Sequence, residues 1–408
     1  MSDFQWIENG SVTATPGFLA SGVTAGFKRS GAPDFAMIFS ETPCNFSGAF
    51  TSCTFAAAPV QLCKNRVLNA PFIRAAVINS GNANACTGHT GLANAQRTAE
   101  LAAVRLGITP DEVVVSSTGR IGVQMPMDLI AHGIDLGAAA LSADGGENAV
   151  KAIMTTDTVP KAAAVKLELQ GKTVTIGAMT KGAGMIDPGM KVPHATMLCY
   201  ITTDVKADNA LLAEMLTSNV NDSFNRITVD GDMSTNDTTI IMANGLSGVE
   251  LKSGTPDAAA FRNALLAVMQ NLARRMVLDG EGATKFVTVK IEKARSEADA
   301  KVLAESVANS LLCKTAWFGG DPNWGRVVAA LGYSGAEFDP DKTNIWYDDQ
   351  PVVRDGGDAG TPETSLLGIM KQREFTIRIE MNEGSAGYWV WTCDVSYEYV
   401  KINADYHT

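Results

Sequence analysis

The stretch Gly177 to Asp204 most constrains how this chain can fold. It opens with a glycine-rich turn, Lys181-Gly-Ala-Gly184, and passes through a loop with two prolines, Pro188 and Pro193. It then enters Met197 to Thr203, an apolar run ending in β-branched residues. Such a run reads as a buried strand. Thr196 therefore stands where a constrained loop meets a core strand, and a hydroxyl there is held rigidly, as a nucleophile must be. If the bond after Ala195 breaks, Thr196 acquires a free α-amine next to its hydroxyl. An α-amine has a reference pKa near ~8 and can serve as the base for that hydroxyl. A threonine with its own N-terminus is a known substitute for the Ser-His-Asp arrangement. Ala195 is small and leaves the scissile carbonyl open to attack.

The rest of the sequence excludes several functions. The 408 residues are 46% hydrophobic and 19% charged, as expected of a soluble globular protein with a large core. A net charge of −11 argues against a nucleic-acid backbone or an anionic membrane as partner. Cys44, Cys53, Cys63, Cys86, Cys199, Cys313 and Cys393 are scattered and form no Cys-x-x-Cys. They read as free thiols in a reducing cytoplasm. No secretory signal and no stretch approaching ~18 apolar residues is visible. The four histidines lack metal-ligand spacing. Asp230 to Asp237 superficially resembles a calcium loop, but it lacks the required glycine, and Ile241 stands where the bidentate glutamate belongs. No metal and no cofactor is expected.

Along the chain, Phe35–Phe39, Ala75–Ile78 and Val113–Val115 read as strands and Leu92–Leu106 as a helix. Asn79 to Gly88 is rich in small polar residues after a strand, the usual composition of a backbone-lined site loop. Ser116-Ser-Thr-Gly119 follows a buried strand and offers hydroxyl and N–H donors, though taken alone it reads better as a simple turn. A short helix, Asn148–Met154, leads into Thr155-Thr-Asp-Thr158. Ala163–Leu169 and Thr173–Met179 form a hairpin across Gln170-Gly171 that delivers the chain to Lys181. Asn209–Asn219 and Ala258–Val277 are helices, and Phe286–Ile291 is a strand. Ser296 is a plausible N-cap for a helix running to Leu312. Asp321–Arg326 reads as a turn. The last quarter reads as long antiparallel strands, with Phe375–Met381 and Trp389–Tyr399 alternating apolar and polar positions. Asp355–Pro362 is the expected flexible loop. A Walker loop, a Gly-x-Ser-x-Gly elbow and a full Gly-x-Gly-x-x-Gly are absent.

These motifs together resemble the ornithine acetyltransferase (ArgJ) family. The resemblance is carried by Asn79–Gly88, Ser117-Thr-Gly119, Met154-Thr-Thr-Asp-Thr158, Lys181-Gly-Ala-Gly-Met-Ile186, Ala195-Thr-Met-Leu198, Thr202-Thr-Asp204, Asp230-Gly-Asp232, Asp321–Arg326 and Asn403-Ala-Asp-Tyr406, in the family's order over nearly the whole chain. It implies a layered α/β sandwich, an α/β (α+β) fold shared with self-processing aminopeptidases of the DmpA type. It implies self-cleavage into an α chain, 1–195, and a β chain, 196–408, assembling as two α and two β chains. It implies Thr196 as nucleophile, Thr118 and Gly119 as oxyanion hole, and substrate contacts at Thr155, Lys181, Thr196, Glu281, Asn403 and Thr408. The implied reaction moves acetyl from N2-acetyl-L-ornithine to L-glutamate by a ping-pong route in arginine biosynthesis, with acetyl-CoA a candidate second donor. A related aminopeptidase or amidohydrolase would use the same nucleophile with water as acceptor. Two stretches depart from the family's usual pattern. The loop Asp187–His194 is longer, and Arg120 follows Ser-Thr-Gly where an uncharged residue is usual, which points to an effect on substrate preference.

Overall fold

A computed structural model of the chain describes residues 4–187 and 197–405. In the first half the elements are β1 (Phe4–Trp6), β2 (Phe18–Val23), β3 (Phe35–Phe50), α1 (Ala58–Asn69), β4 (Ile73–Asn82), α2 (Gly88–Leu106), β5 (Val113–Arg120), α3 (Met127–Ala139), α4 (Gly146–Ile153), β6 (Lys161–Leu169) and β7 (Lys172–Lys181). The second half supplies β8 (Leu198–Thr203), α5 (Asn209–Asn221), β9 (Thr238–Ala243), α6 (Pro256–Leu278), β10 (Phe286–Ala294), α7 (Glu297–Ala308), α8 (Leu311–Gly319) and α9 (Trp324–Gly332). It ends with β11 (Asn344–Tyr347), β12 (Gln350–Arg354), β13 (Gly357–Asp358), α10 (Glu363–Lys371), β14 (Glu374–Glu380), β15 (Ala386–Cys393) and α11 (Tyr397–Asp405).

The larger sheet runs β1-β6-β7-β8-β9-β3-β4-β5, with β2 also paired to β3. Strand alternation explains why helices cover both faces. Cys199, Ile201, Ile176, Ala178 and Ile241 point to one side and pack on Leu212, Phe261, Leu265, Leu272 and Met276 of α5 and α6. Leu198, Tyr200, Met179, Ile240 and Met242 point to the other and join Val150 and Ile153 of α4. The far end, from β3 to β5, packs Phe35, Val77 and Val115 against Ala99 and Ala102 of α2 and Ile130 and Ile134 of α3. The fold is thus the expected layered α/β sandwich.

The smaller sheet runs β13-β12-β11-β14-β10-β15 and carries its own core with α7, α9 and α10. The hairpin Lys161–Leu169 with Lys172–Lys181 forms as expected, its turn residues Gln170 and Gly171 both at positive φ. β8 is inserted between β7 and β9, antiparallel to the first and parallel to the second, and β9 pairs with β3. The expected chains 1–195 and 196–408 therefore share one sheet.

Five expectations change. The helix after Ser296 ends at Ala308, because Ser310 caps a new helix by accepting from the Cys313 N–H. Asn323 likewise caps a helix where a turn was read. Asp355–Pro362 holds a short paired strand, with Asp355 and Gly356 turning at positive φ. The alternation through Tyr399 does not continue as a strand. β15 stops at Cys393, where the Asp394 carboxylate accepts the Thr284 and Lys285 N–H groups, and Tyr397–Asp405 is helical. Nor is the last quarter wholly antiparallel, since β14 runs parallel to β10.

Phe261 is fully buried where α6 meets the larger sheet. Phe261→Ala should cost about 3–5 kcal/mol, the usual range for emptying an aromatic site in a core. Urea unfolding should show a midpoint well below wild type.

Candidate active site

One cleft collects most of the expected site residues. Thr118, Gly119, Thr155, Lys181, Glu281 and Asn403 all line it, together with Met197, Asn236 and Asp237. They come from β5, the loop after α4, the end of β7, the segment after α6, helix α11 and the approach to β9. Met197 directly follows Thr196. Ala195, Thr196 and Thr408 lie outside the described residues.

Thr118 and Gly119 end β5, which pairs parallel with β4 through Ser80 and Gly81 and is irregular at Asn82. Gly119 has φ +124°, and a Cβ there would come within 2.5 Å of the Gly81 carbonyl carbon. Only glycine allows this close approach of two strands at such a φ. The Asn79–Gly88 loop lines none of the cleft among the described residues, yet it fixes the cleft's wall. The Ser117 hydroxyl donates to Asn79 Oδ1 at 2.7 Å, and Asn79 Nδ2 donates to the Asn82 carbonyl at 2.8 Å. Asn236 Nδ2 donates to the Ser117 carbonyl at 2.8 Å and to the Ala83 carbonyl at 2.5 Å, tying β5 to the approach to β9. Arg120 is exposed and does not line the cleft, so the structure gives it no direct contact there.

Lys181 ends β7 opposite Leu198 in register. Its side chain is half-buried at the cleft wall. Burial pushes its pKa below the ordinary 10.5, while Asp157 and Asp237 act the other way. Glu281 is buried, donates its N–H to the Ala183 carbonyl at 2.9 Å and receives Asn403 Nδ2 at 2.7 Å. Gly184 makes room for it, since a Cβ there would meet the Glu281 carboxylate at 2.4 Å. The glycine-rich turn after Lys181 is thus shaped around an acid on another element. Thr155 is positioned by its N–H, which donates to Asp157 Oδ2 at 3.0 Å.

Asp237 escaped the sequence reading, which treated its segment only as a failed calcium loop. It is buried in the cleft wall, and its Oδ2 has no hydrogen-bond partner among the described residues. Burial raises its pKa well above 3.8, with Lys181 pulling the other way. Such a carboxyl can hold or hand over a proton. Met197 is buried at φ +144°, an unusual conformation for a side-chain-bearing residue, next to the Ala195–Thr196 bond. Its carbonyl accepts from the Thr238 N–H. Among the described residues no cluster of His, Cys, Asp and Glu could hold a metal. No helix there is long and apolar enough to cross a membrane. All seven cysteines are free.

The ArgJ family pattern matches residues 19–408. The chain belongs to the ArgJ family. An arginine biosynthesis bifunctional protein ArgJ from Symbiobacterium thermophilum is 46% identical over 407 residues, covering 99% of this chain and 100% of that relative. A glutamate N-acetyltransferase from Methanocaldococcus jannaschii is 45% identical over 410 residues, covering 98% of this chain and 99% of the relative. A solved ornithine acetyltransferase from Mycobacterium tuberculosis is 41% identical over 46% of this chain and 100% of its own, with a TM-score of 0.43. In this ArgJ chain the glycine after Thr118 is a packing requirement as well as part of the cleft lining. Gly119→Ala should separate β4 from β5 at the cleft. The expected outcome is a lower melting temperature together with an enzymatic rate reduced by at least about tenfold, since displacements near 1 Å at a site can cost ~10².

Proposed function

We propose that this protein is a self-cleaving acetyltransferase that moves acetyl from N2-acetyl-L-ornithine to L-glutamate. The observation that carries this reading is the cleft itself. It gathers a Thr-Gly donor pair, a lysine and a glutamate around the start of the strand that follows Ala195-Thr196. The names of the full-length relatives agree with it.

In the proposed route the chain first breaks between Ala195 and Thr196, giving chains 1–195 and 196–408. The shared sheet supports their staying together, because β8 and β9 of the second chain pair with β7 and β3 of the first. Assembly into two α and two β chains rests on the family resemblance. The Thr196 hydroxyl then attacks the acetyl carbonyl while its α-amine takes the hydroxyl proton. The Thr118 hydroxyl and the Gly119 N–H stabilise the oxyanion. The carbon–nitrogen bond breaks, ornithine leaves with the proton on its amine, and acetyl remains as an ester on Thr196. The glutamate amine attacks that ester, and the hydroxyl of Thr196 is regenerated. Lys181 holds the α-carboxylate common to donor and acceptor, and Glu281, steadied by Asn403, faces the substrate's positive charge. Thr155 and Thr408 complete the substrate contacts. Acetyl-CoA is a further candidate donor, and no cofactor is required.

Intact mass spectrometry of the purified protein should show two fragments, the second beginning at Thr196, and Thr196→Ala should leave one chain. A wild-type chain that stays whole yet exchanges acetyl would overturn the mechanism. Release of ornithine should require glutamate. Release at the same rate in buffer alone would make the protein a hydrolase of the aminopeptidase type instead.

Lys181→Met should lower kcat/KM by about 10- to 100-fold for donor and acceptor alike, the worth of one charge-assisted hydrogen bond. The cation binds carboxylate only while protonated. Its pKa is lowered, so binding is intact below that pKa and is lost as pH rises through it. KM for both substrates should therefore begin to climb at a pH below the 10.5 of an ordinary lysine, as read from initial rates across alkaline buffers.

A further inference from the structure

Beneath the cleft lies a buried ionic cluster that the reaction scheme does not use. Lys161, the first residue of β6, is fully buried. Its Nζ lies 2.6 Å from Asp157 Oδ1 and 2.5 Å from Asp279 Oδ2. Each carboxylate is also an anchor for backbone. Asp157 Oδ1 accepts the N–H of Gly182, the residue after Lys181, at 2.8 Å, and Asp157 Oδ2 accepts the N–H of Thr155 at 3.0 Å. Asp279 caps the end of α6 two residues before Glu281 and accepts the Thr158 N–H at 3.1 Å as well as the Thr158 hydroxyl. One lysine thus joins the three segments that present Thr155, Lys181 and Glu281 to the cleft.

The cluster's charge points the same way. Asp157 and Lys181 attract one another across it. Burial works against ionised Asp157, yet Lys161 and Lys181 outweigh it and hold its carboxyl below the ordinary 3.8. A buried ion pair is weak evidence for stability, because desolvation offsets much of the attraction. A cluster whose hydrogen bonds end on the backbone of two site segments, and whose Asp279 belongs to the third, is better explained by the geometry it fixes.

We propose that Asp157, Lys161 and Asp279 are positioning residues of the acetyl-transfer site, setting where Lys181 stands relative to Thr155 and Glu281. The inference rests on the reading of Lys181 as the carboxylate clamp.

A double-mutant cycle between Asp157→Asn and Lys181→Met tests it, with kcat/KM measured for both substrates on protein shown by mass to be cleaved. Unfolding midpoints are recorded in both backgrounds. Asp157→Asn alone should reduce kcat/KM by on the order of 10-fold. In the Lys181→Met background the same change should cost less than about threefold, because residues acting through one another are not additive. A purely structural role would give the full loss in both backgrounds. That additive result, or an unchanged kcat/KM for Asp157→Asn, overturns the proposal while leaving the clamp standing. Unimpaired kinetics for Lys181→Met alone would overturn the clamp, and the positioning role with it. If Asp157→Asn does not assemble, Asp279→Asn, which leaves the Thr155 and Gly182 bonds in place, enters the same cycle and is judged by the same two outcomes.

Discussion

The insertion of β8 between β7 and β9 is the constraint on which the rest of the molecule depends. Every residue of Leu198–Thr203 is buried, and the strand donates one face to each of two hydrophobic layers. Tyr200 shows how closely it is fixed, since its hydroxyl donates to Ser116 Oγ at 2.6 Å deep in the core. The residue before such a strand has little freedom in direction. The strand's first residue, Leu198, pairs with Lys181 at the end of β7 and with Thr238 at the start of β9. Buried backbone pairing thus places Met197 in one cleft with Thr118, Gly119 and Lys181.

The cleft has a second logic, that of charge in a desolvated place. Lys181, Asp157, Asp237 and Glu281 all stand where water is scarce, and each alters its neighbours' proton affinity. Asp157 is held ionised by two ammonium groups and by backbone donors. Burial pushes the Asp237 carboxyl the other way, well above 3.8, against the pull of Lys181. Two aspartates near one lysine are thereby shifted in opposite directions by their surroundings, as paired carboxyls in catalytic sites commonly are. The Lys161 cluster is the fixed part of this arrangement, and the Asp237 oxygen with no partner among the described residues is the part with proton-transfer capacity to spare.

Much of the fold could be read from periodicity. The hairpin before Lys181, helix α6 and strands β4, β5 and β8 were legible because each is governed by local rules, either alternation or a 3.6-residue stripe. Some errors came from the local caps at Ser310 and Asn323, and others arose where a distant group decided the outcome. Alternation through Tyr397 and Tyr399 looks like a strand, but Asp394 is spent on the Thr284 and Lys285 N–H groups, and Tyr397 ends up exposed on a helix. The break at Asn309 was invisible because Asn309 is engaged by Thr228 and Asp187, far away in sequence.

The sequence by itself determined the ingredients of the site: a threonine before a core strand, a Ser-Thr-Gly turn, a lysine in a glycine-rich turn and a family resemblance across the chain. Only the tertiary structure decided that residues 118, 155, 181, 281 and 403 share one cleft, that Arg120 does not line it, and that Asp237 belongs to it. It also showed that Lys161 stands beneath the cleft, bridging carboxylates far apart in the chain. The reason is physical. Strand and helix signals are short-range and repeat along the chain, whereas desolvation and ion pairing depend on which segments are neighbours in space. An isolated lysine or aspartate in a sequence carries no mark of the partner that burial will give it.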